Sequence, residues 1–320
     1  MTKNIKETSI VFMGTSPFAA VSLRSLIAGG YNVKAVYTQP GKKVGRDQEI
    51  SKSPVGLIAE EKKIPTFEPS KFTDETIAEL EGIDPELIIV AAYGKILPKS
   101  VLDIPKLGCI NIHGSLLPKF RGPSPIQNAL LDGEKETGIT LIRMNEGVDT
   151  GDIISEEKTT IGSDETFPEL SERLAKIAEK LLLSTLPSWI NKEIEAVPQD
   201  NSKATLCQLI EREDGKIIWS DDAEDLYNRY RAFFSWPGVY AFWEKDEKPV
   251  RLKLRKINLL KNSPQTLRHI GEVFEIGDEI GVMTGKGVII LEEVQLEGKN
   301  SVGIREFMNG YSSFLGSVLK

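Results

Sequence analysis

Cysteine and histidine are scarce in this chain, with two of each among 320 residues. Cys109 and Cys207 lie far apart in apolar or neutral surroundings, so two buried, reduced thiols are expected rather than a disulfide framework. No Cys/His spacing suits zinc, and no metal is expected. Positive charge is not in excess either. A net charge of -7 excludes a globally basic nucleic-acid binder, so any such contact must use a local patch. Long hydrophobic runs are missing. The N-terminal one extends only from Ile10 to Met13, too short for a signal-peptide core or a membrane span, and no Arg-rich amphipathic leader precedes it. A cytoplasmic protein without membrane association is expected. The turn "GTSPFA" lacks the second and third glycines of G-x-G-x-x-G, so a dinucleotide fingerprint is not supported.

What is present is enough for a substantial core: 40 % hydrophobic residues and 27 % charged ones over a length that suits more than one domain. "SIVFMG", "YNVKAVY", "PELIIVAAYG" and "LGCINIH" read as buried strands alternating with helices. That rhythm predicts an α/β domain with an open, mostly parallel, Rossmann-like sheet. Ser53 and Pro54 read as an N-cap and first helical residue. Thr166 and Glu169 form a capping box for a long helix ending near Ile190. "NKEIEAVPQDNSKATL" then loses apolar period and gathers Asn, Pro, Asp, Ser and Lys, as a linker does. Beyond it, one helix over Ala223–Phe234 precedes short Gly-punctuated strands, the pattern of a small, OB-like β-barrel. The expected division is a catalytic α/β domain over 1–190, a linker over 191–206 and a barrel domain over 207–320.

One histidine stands at the mouth of a buried strand, in "GCINIHGSLLPKFRGPSPIQ". Residues two apart in a strand face the same side, so Asn111 and His113 point together. They do so at the carboxyl end of the strand, where open α/β sheets bind ligands. The loop that follows is too rich in Pro and Gly to be helical before about Pro125, and it can wall a cleft with Leu116 and Leu117. A second polar cluster, "MNEGVDTGDI", places Asp149 between Gly147 and Gly151, where backbone can approach closely. Asp149 is the candidate third partner of Asn111 and His113.

These segments carry a resemblance. "INIHGSLLPKFRGPSPIQ" followed by "GITLIRMNEGVDTGDII" is similar to the paired signatures of the formyltransferases that use 10-formyltetrahydrofolate. "GTSPFA", "TQPGKKVGRDQEISKSPV", "AAYGKILP", "REDGKIIWS" and "NRYRAFFSWPG" extend the likeness over essentially the whole chain, toward the members of that family that act on methionyl-tRNA. Departures are modest: Lys119-Phe120 stands where an Arg before an aromatic is usual, and Pro123-Ser124 where small residues are. The resemblance implies formyl transfer to the α-amine of methionyl-initiator tRNA, with Asn111, His113 and Asp149 as the catalytic set. It also implies folate as a cosubstrate against Ser115, Leu116, Leu117 and Pro118, and no metal.

The chemistry sets its own demands. Attack of an amine on a formyl carbon produces an oxyanion, and removing one donor aimed at it costs roughly a hundred- to a thousand-fold in rate. The Asn111 amide and a His113 N–H can both donate. Asp149 is expected to orient the imidazole or accept the amine proton. "TQPGKKVGRDQEISKS" is a long polar segment after a strand's carboxyl end, so Lys42, Lys43 and Arg46 overhang the cleft. By resemblance this loop inserts at the acceptor end of the tRNA, with Arg46 at the family's key arginine. In "VRLKLRK", Arg251, Lys253 and Arg255 share one strand face and Val250, Leu252 and Leu254 the other, offering a basic stripe for phosphates. The aromatics of "RYRAFFSWPG" follow a helix period and are expected in the core. An amino-sugar formyltransferase would share the catalytic set and the folate loop; a non-catalytic RNA-binding module would not need Asn111, His113 and Asp149. A monomer that does not bind DNA is expected.

Overall fold

The computed structural model describes residues 5–44, 49–260 and 268–320. It resolves into two compact units, the first comprising Met1–Pro125, Glu136–Ile161 and Leu170–Leu209, the second Ile126–Lys135, Gly162–Glu169 and Ile210–Lys320.

The first unit opens with β1 (Ile10–Gly14) and α1 (Pro17–Ala28). The connecting turn needs no glycine fingerprint because Ser16 caps the helix, accepting from the Ala19 N–H, with Pro17 preset for the first turn. Next come β2 (Val33–Tyr37) and a short antiparallel pair, β3 (Lys42–Val44) with β4 (Glu49–Ser51). The long loop expected over this segment therefore contains two short paired strands. Arg46 lies outside the described residues, and of Lys42 and Lys43 only the strand that holds them is described. α2 (Pro54–Glu61) is capped by Ser53, whose Oγ accepts from Gly56 N–H at 2.9 Å. β5 (Thr66–Phe67), α3 (Asp74–Ile83), β6 (Leu87–Ala91), α4 (Lys99–Leu102) and β7 (Cys109–His113) follow. After α5 (Pro125–Leu131), which falls almost wholly in the second unit, β8 (Glu136–Arg143) and β9 (Asp152–Thr160) form a hairpin-like edge, and α6 spans Phe167–Ile190. Glu169 reaches back to both the N–H and the hydroxyl of Thr166, at 2.8 and 2.6 Å, as the capping pattern requires.

Among the described residues these strands form a seven-stranded sheet in the order β5-β2-β1-β6-β7-β8-β9. The pairs from β5 to β7 are parallel; β8 and β9 turn antiparallel. β1 and β6 are buried at every position, as doubly covered parallel strands must be. Both cysteines are buried free thiols, and burial pushes Cys109 up to about 12, which keeps it protonated and inert. The mostly parallel sheet agrees with the sequence reading.

The expected linker over 191–206 takes a different form. It is bonded along the first unit: Val197 exchanges both backbone bonds with Ile153 at 2.8 Å, and Arg121 N–H donates to the Thr205 carbonyl at 2.9 Å. These contacts are made by backbone and polar groups, so no apolar period announces them.

In the second unit, α7 (Ala223–Phe233) precedes β10 (Val239–Lys245), β11 (Lys248–Leu259), β12 (Val273–Ile276), β13 (Glu279–Met283), β14 (Val288–Leu296) and β15 (Ser301–Gly303), with α8 (Ile304–Gly310) last. The antiparallel order is β10-β11-β14-β13-β12, with β15 on β14. The C-terminal segment bridges the two edges. Phe242 pairs with Lys320 through both backbone groups, while Leu319 N–H donates to Gly271 and Val273 N–H to Ser317. Closing the edges in this way removes unpaired strand groups, which is what makes the sheet barrel-like. Trp243, Phe307 and Phe314 fill its core. The segment "RYRAFFSWPG" is only partly core: Tyr230, Arg231 and Phe233 are buried, but Phe234 and Trp236 are exposed. The helix ends at Phe233, so the helical period that placed the later aromatics inside no longer applies.

Candidate active site

Three backbone and side-chain groups converge on the Asp149 carboxylate. Its Oδ1 accepts from Asn111 Nδ2 at 3.0 Å. Its Oδ2 accepts from the Gly122 N–H at 2.8 Å and stands 3.5 Å from His113 Nδ1. Asn111 and His113 are strand mates on β7, and they meet Asp149 from the same side, as the period of two requires. Asp149 itself adopts φ 50°, the left-handed region, in the turn between β8 and β9. All three residues singled out from the sequence are therefore brought together.

His113 is 4 % exposed, and both of its ring nitrogens face oxygen: Nε2 lies 2.9 Å from the Phe120 carbonyl and Nδ1 faces Asp149. A neutral imidazole has one N–H and can satisfy only one of the two. Burial lowers the His113 pKa below 6.5, and the Asp149 carboxylate and Phe120 carbonyl oppose that shift. The ring is thus neutral at pH 7 yet surrounded by groups that stabilise an added proton. Both ring nitrogens already face oxygen atoms of the protein. Asn111 is half-buried and spends one of its two amide hydrogens on Asp149.

The loop after β7 is pinned from within. Ser115 Oγ donates to the Lys119 carbonyl at 2.7 Å, and the Leu117 N–H donates to Thr140 Oγ1 at 3.1 Å. Ser115 and Leu117 are buried, whereas Leu116 and Pro118 are half-buried. Of the four residues expected to meet folate, two hold the loop and two present side-chain surface. Phe120 O and Gly122 N, which complete the site, are backbone groups; no side-chain pattern in the sequence marks them.

In the second unit, a shallow cavity of about 210 Å³ is lined by Arg212, Arg251, Lys253, Gln295 and Leu296–Gly298, with Glu297 the acidic member. Leu252 and Leu254 are buried and Lys253 and Arg255 exposed, so the expected alternation holds along β11. Arg251 is only half free: its guanidinium lies 4.2 Å from the centre of the Tyr240 ring.

Residues 8–186 match the formyl transferase family, and 209–312 match the formyl transferase C-terminal domain. An α/β formyl transferase domain followed by its C-terminal companion thus accounts for most of the chain, and the chain belongs to the formyl transferase family. Two relatives carry a more particular name, methionyl-tRNA formyltransferase. That of Citrifermentans bemidjiense is 40 % identical over 312 residues, covering 97 % of this chain and 96 % of its own. That of Caldicellulosiruptor saccharolyticus is 42 % identical over 315 residues, covering 97 % and 99 %. In fold the chain is similar to an N-formyltransferase from Helicobacter canadensis solved with folinic acid and dTDP-3-aminofucose. That likeness has TM-score 0.65 and 21 % identity over 89 % of this chain and 98 % of that one.

Proposed function

We propose that this protein transfers the formyl group of 10-formyltetrahydrofolate to the α-amino group of methionyl-initiator tRNA. The observation that carries the reading is the convergence of Asn111, His113 and Asp149 at the end of β7 in a chain whose methionyl-tRNA formyltransferase relatives match it end to end. The sequence division into 1–190, 191–206 and 207–320 enters this proposal with one change. The middle segment works with the catalytic unit, to which it is bonded.

The steps follow from the geometry. The free α-amine, with an ordinary pKa of about 7.7–8.0, is substantially neutral near pH 8 and needs no strong base to attack the formyl carbon. As the C–N bond forms, the formyl oxygen becomes an oxyanion, and the second Asn111 N–H supports it. The amine nitrogen then carries a surplus proton. Asp149, the more exposed member of the pair at 14 %, takes it directly or through water, and His113 Nδ1 behind it stores it. When the C–N10 bond breaks, the same proton goes to the folate nitrogen, so the pair ends unchanged. Leu116 and Pro118 form the wall against which the flat pterin ring packs, with Ser115 and Leu117 keeping that wall rigid. No helix among the described residues is long and apolar enough to cross a membrane, and the proposed substrates place the reaction in the cytoplasm.

The test is direct. Incubation with 10-formyltetrahydrofolate and charged initiator tRNA should yield formylmethionyl-tRNA, while a nucleotide-linked amino sugar offered instead should stay unmodified. Formylation of the sugar and not of the tRNA would overturn the assignment.

The basic face of β11 is assigned to tRNA phosphates. Replacing Arg251 and Lys253 by Ala should weaken binding of initiator and elongator tRNAs alike and reduce the slope of log K against log salt by about 1 per lost phosphate contact. Filter binding across a salt series measures it. A lost preference for initiator tRNA with an unchanged slope would indicate base contacts instead. Lys42, Lys43 and Arg46 are assigned to the acceptor end on the resemblance alone, with Arg46 offering the planar fork that a Lys lacks.

A further inference from the structure

The carboxylate of Asp149 is held by its partners, and its backbone sits in the left-handed region, which aspartate tolerates better than most residues, so the turn's position is set by what it bonds to. A side chain that bonds to this turn comes from the segment whose composition resembles a linker. Gln199 Nε2 donates one hydrogen to the Asp149 carbonyl at 2.8 Å and one to the Gly151 carbonyl at 2.6 Å. Its Oε1 accepts twice from Arg121, from Nε at 3.1 Å and Nη2 at 2.8 Å. Arg121 Nη2 also donates to Asn201 Oδ1 at 2.7 Å.

The Gln199 amide is saturated. Two hydrogens meet two carbonyls, and two lone pairs meet two guanidinium hydrogens. Turning the amide over would set oxygen against carbonyls and nitrogen against the guanidinium, so its orientation is unambiguous. Gln199 and Arg121 are 8 % and 7 % exposed, and no carboxylate pairs with Arg121 among the described residues. A guanidinium this buried would ordinarily take an acidic partner. Here it takes amide and carbonyl oxygens, and its fork sets the one amide that clamps both ends of the Asp149–Gly151 turn. Arg121 is also next in the chain to Gly122, whose N–H holds Asp149 Oδ2. The same network therefore grips the carboxylate from the front and its backbone from behind.

We infer that Gln199 and Arg121 are positioning residues for Asp149, and that the segment bearing Gln199 and Asn201 belongs to the catalytic apparatus. The inference rests on the reading of Asp149 as catalytic. A misplacement of about 1 Å at a reacting group can cost on the order of a hundred-fold in rate, so a network of this kind acts on turnover more than on substrate binding.

The test uses the full-length protein and steady-state formylation with methionyl-tRNA and 10-formyltetrahydrofolate. Gln199→Leu keeps the side-chain size and removes all four bonds. It should lower kcat about 10- to 100-fold while KM for each substrate stays within about two-fold. Gln199→Glu keeps acceptors for Arg121 but sets a carboxylate oxygen against the two carbonyls, so it should retain folding and still lose turnover. It carries the test if the Leu variant does not fold. Arg121→Lys, which keeps the charge and one donor direction, should retain more kcat than Arg121→Met. On an Asp149→Asn background, Gln199→Leu should add little further loss, because the group it positions is already gone. Parent-like kcat for both Gln199 variants overturns the inference, as does a loss that adds in full to Asp149→Asn. If Asp149→Asn itself turned over like the parent, the catalytic reading of Asp149 would fall and the positioning role with it. An inactive Asp149→Asn beside active Gln199 variants would remove the positioning role alone.

Discussion

Asp149→Asn is expected to fold and to lose formyl transfer by roughly a hundred-fold or more. The carboxylate accepts from Asn111 at one oxygen and from Gly122 at the other. An amide has one oxygen, so its NH₂ must face one of those donors, and a donor then meets a donor. His113 loses the anion that stabilises its protonated form at the same time. The variant therefore forfeits both the outer proton acceptor and the basicity of the inner one. The pH dependence has a definite sign. The folded pKa of His113 lies below 6.5, so the ring takes up its proton, and activity falls, only on the acid side of that value. Because the Asp149 carboxylate is one of the groups that raise it, removing that charge moves the acid limb of the residual activity to still lower pH. Stability follows the same logic. The unfolded chain binds the His113 proton more readily, so the contribution of the neutral buried ring is fully present above 6.5 and is lost as pH falls from there toward the folded value. Single-turnover formylation from pH 5 to 8, with chemical unfolding over the same range, measures both. Undiminished turnover in the variant at saturating substrates would remove Asp149 from the mechanism.

The second large effect is expected from a methyl group. At Gly151 an added Cβ would overlap the carbonyl oxygen of Arg143, with Met144 Cα 3.3 Å away. Both neighbours are backbone, and Arg143 is paired with Asp152 in the β8–β9 ladder, so no flexible side chain can yield. Gly151→Ala should therefore cost about 3 kcal/mol, at the upper end of overpacking, and it should also displace the turn that carries Asp149. Formylation should fall at least as far as in Asp149→Asn. Gly147→Ala makes the informative contrast, because its Cβ would meet the Thr150 side chain, which can rotate away at the loss of one hydrogen bond to Asn145. Urea midpoints and initial rates for both variants provide the check. If Gly151→Ala matched the parent in both, the close approach of the two strands would not be required.

Much of this architecture is legible in the chain. Ser53 and Thr166 mark helix starts, because capping is a local exchange between a side-chain oxygen and a nearby N–H. The buried runs of β1 and β6 and the alternation of β11 report their environments directly, since a strand's period is two whatever it packs against. Asn111 and His113 were recognisable as facing one way for the same reason. Asp149 could be suspected from its turn as a third partner of the other two, and the resemblance strengthened that link. The roles within the set were less accessible. His113 is readable as a donor in sequence; that its two ring nitrogens face Asp149 and a backbone carbonyl seven residues on, the arrangement behind the proton-storage role proposed above, is not.

By itself, then, the sequence determined the two kinds of domain, the helix boundaries set by caps, and the strand face that Asn111 and His113 share. All of these depend on contacts between residues a few positions apart or on a short repeating period. Tertiary structure alone decided the linker-like segment's place along the first unit, the closure of the barrel by the C-terminal residues, and the saturated amide of Gln199 behind the Asp149 turn. Those features are made by single polar groups that meet partners from distant parts of the chain. A hydrogen bond of that kind leaves no periodic trace, because it constrains one residue on each side and places no demand on the neighbours of either.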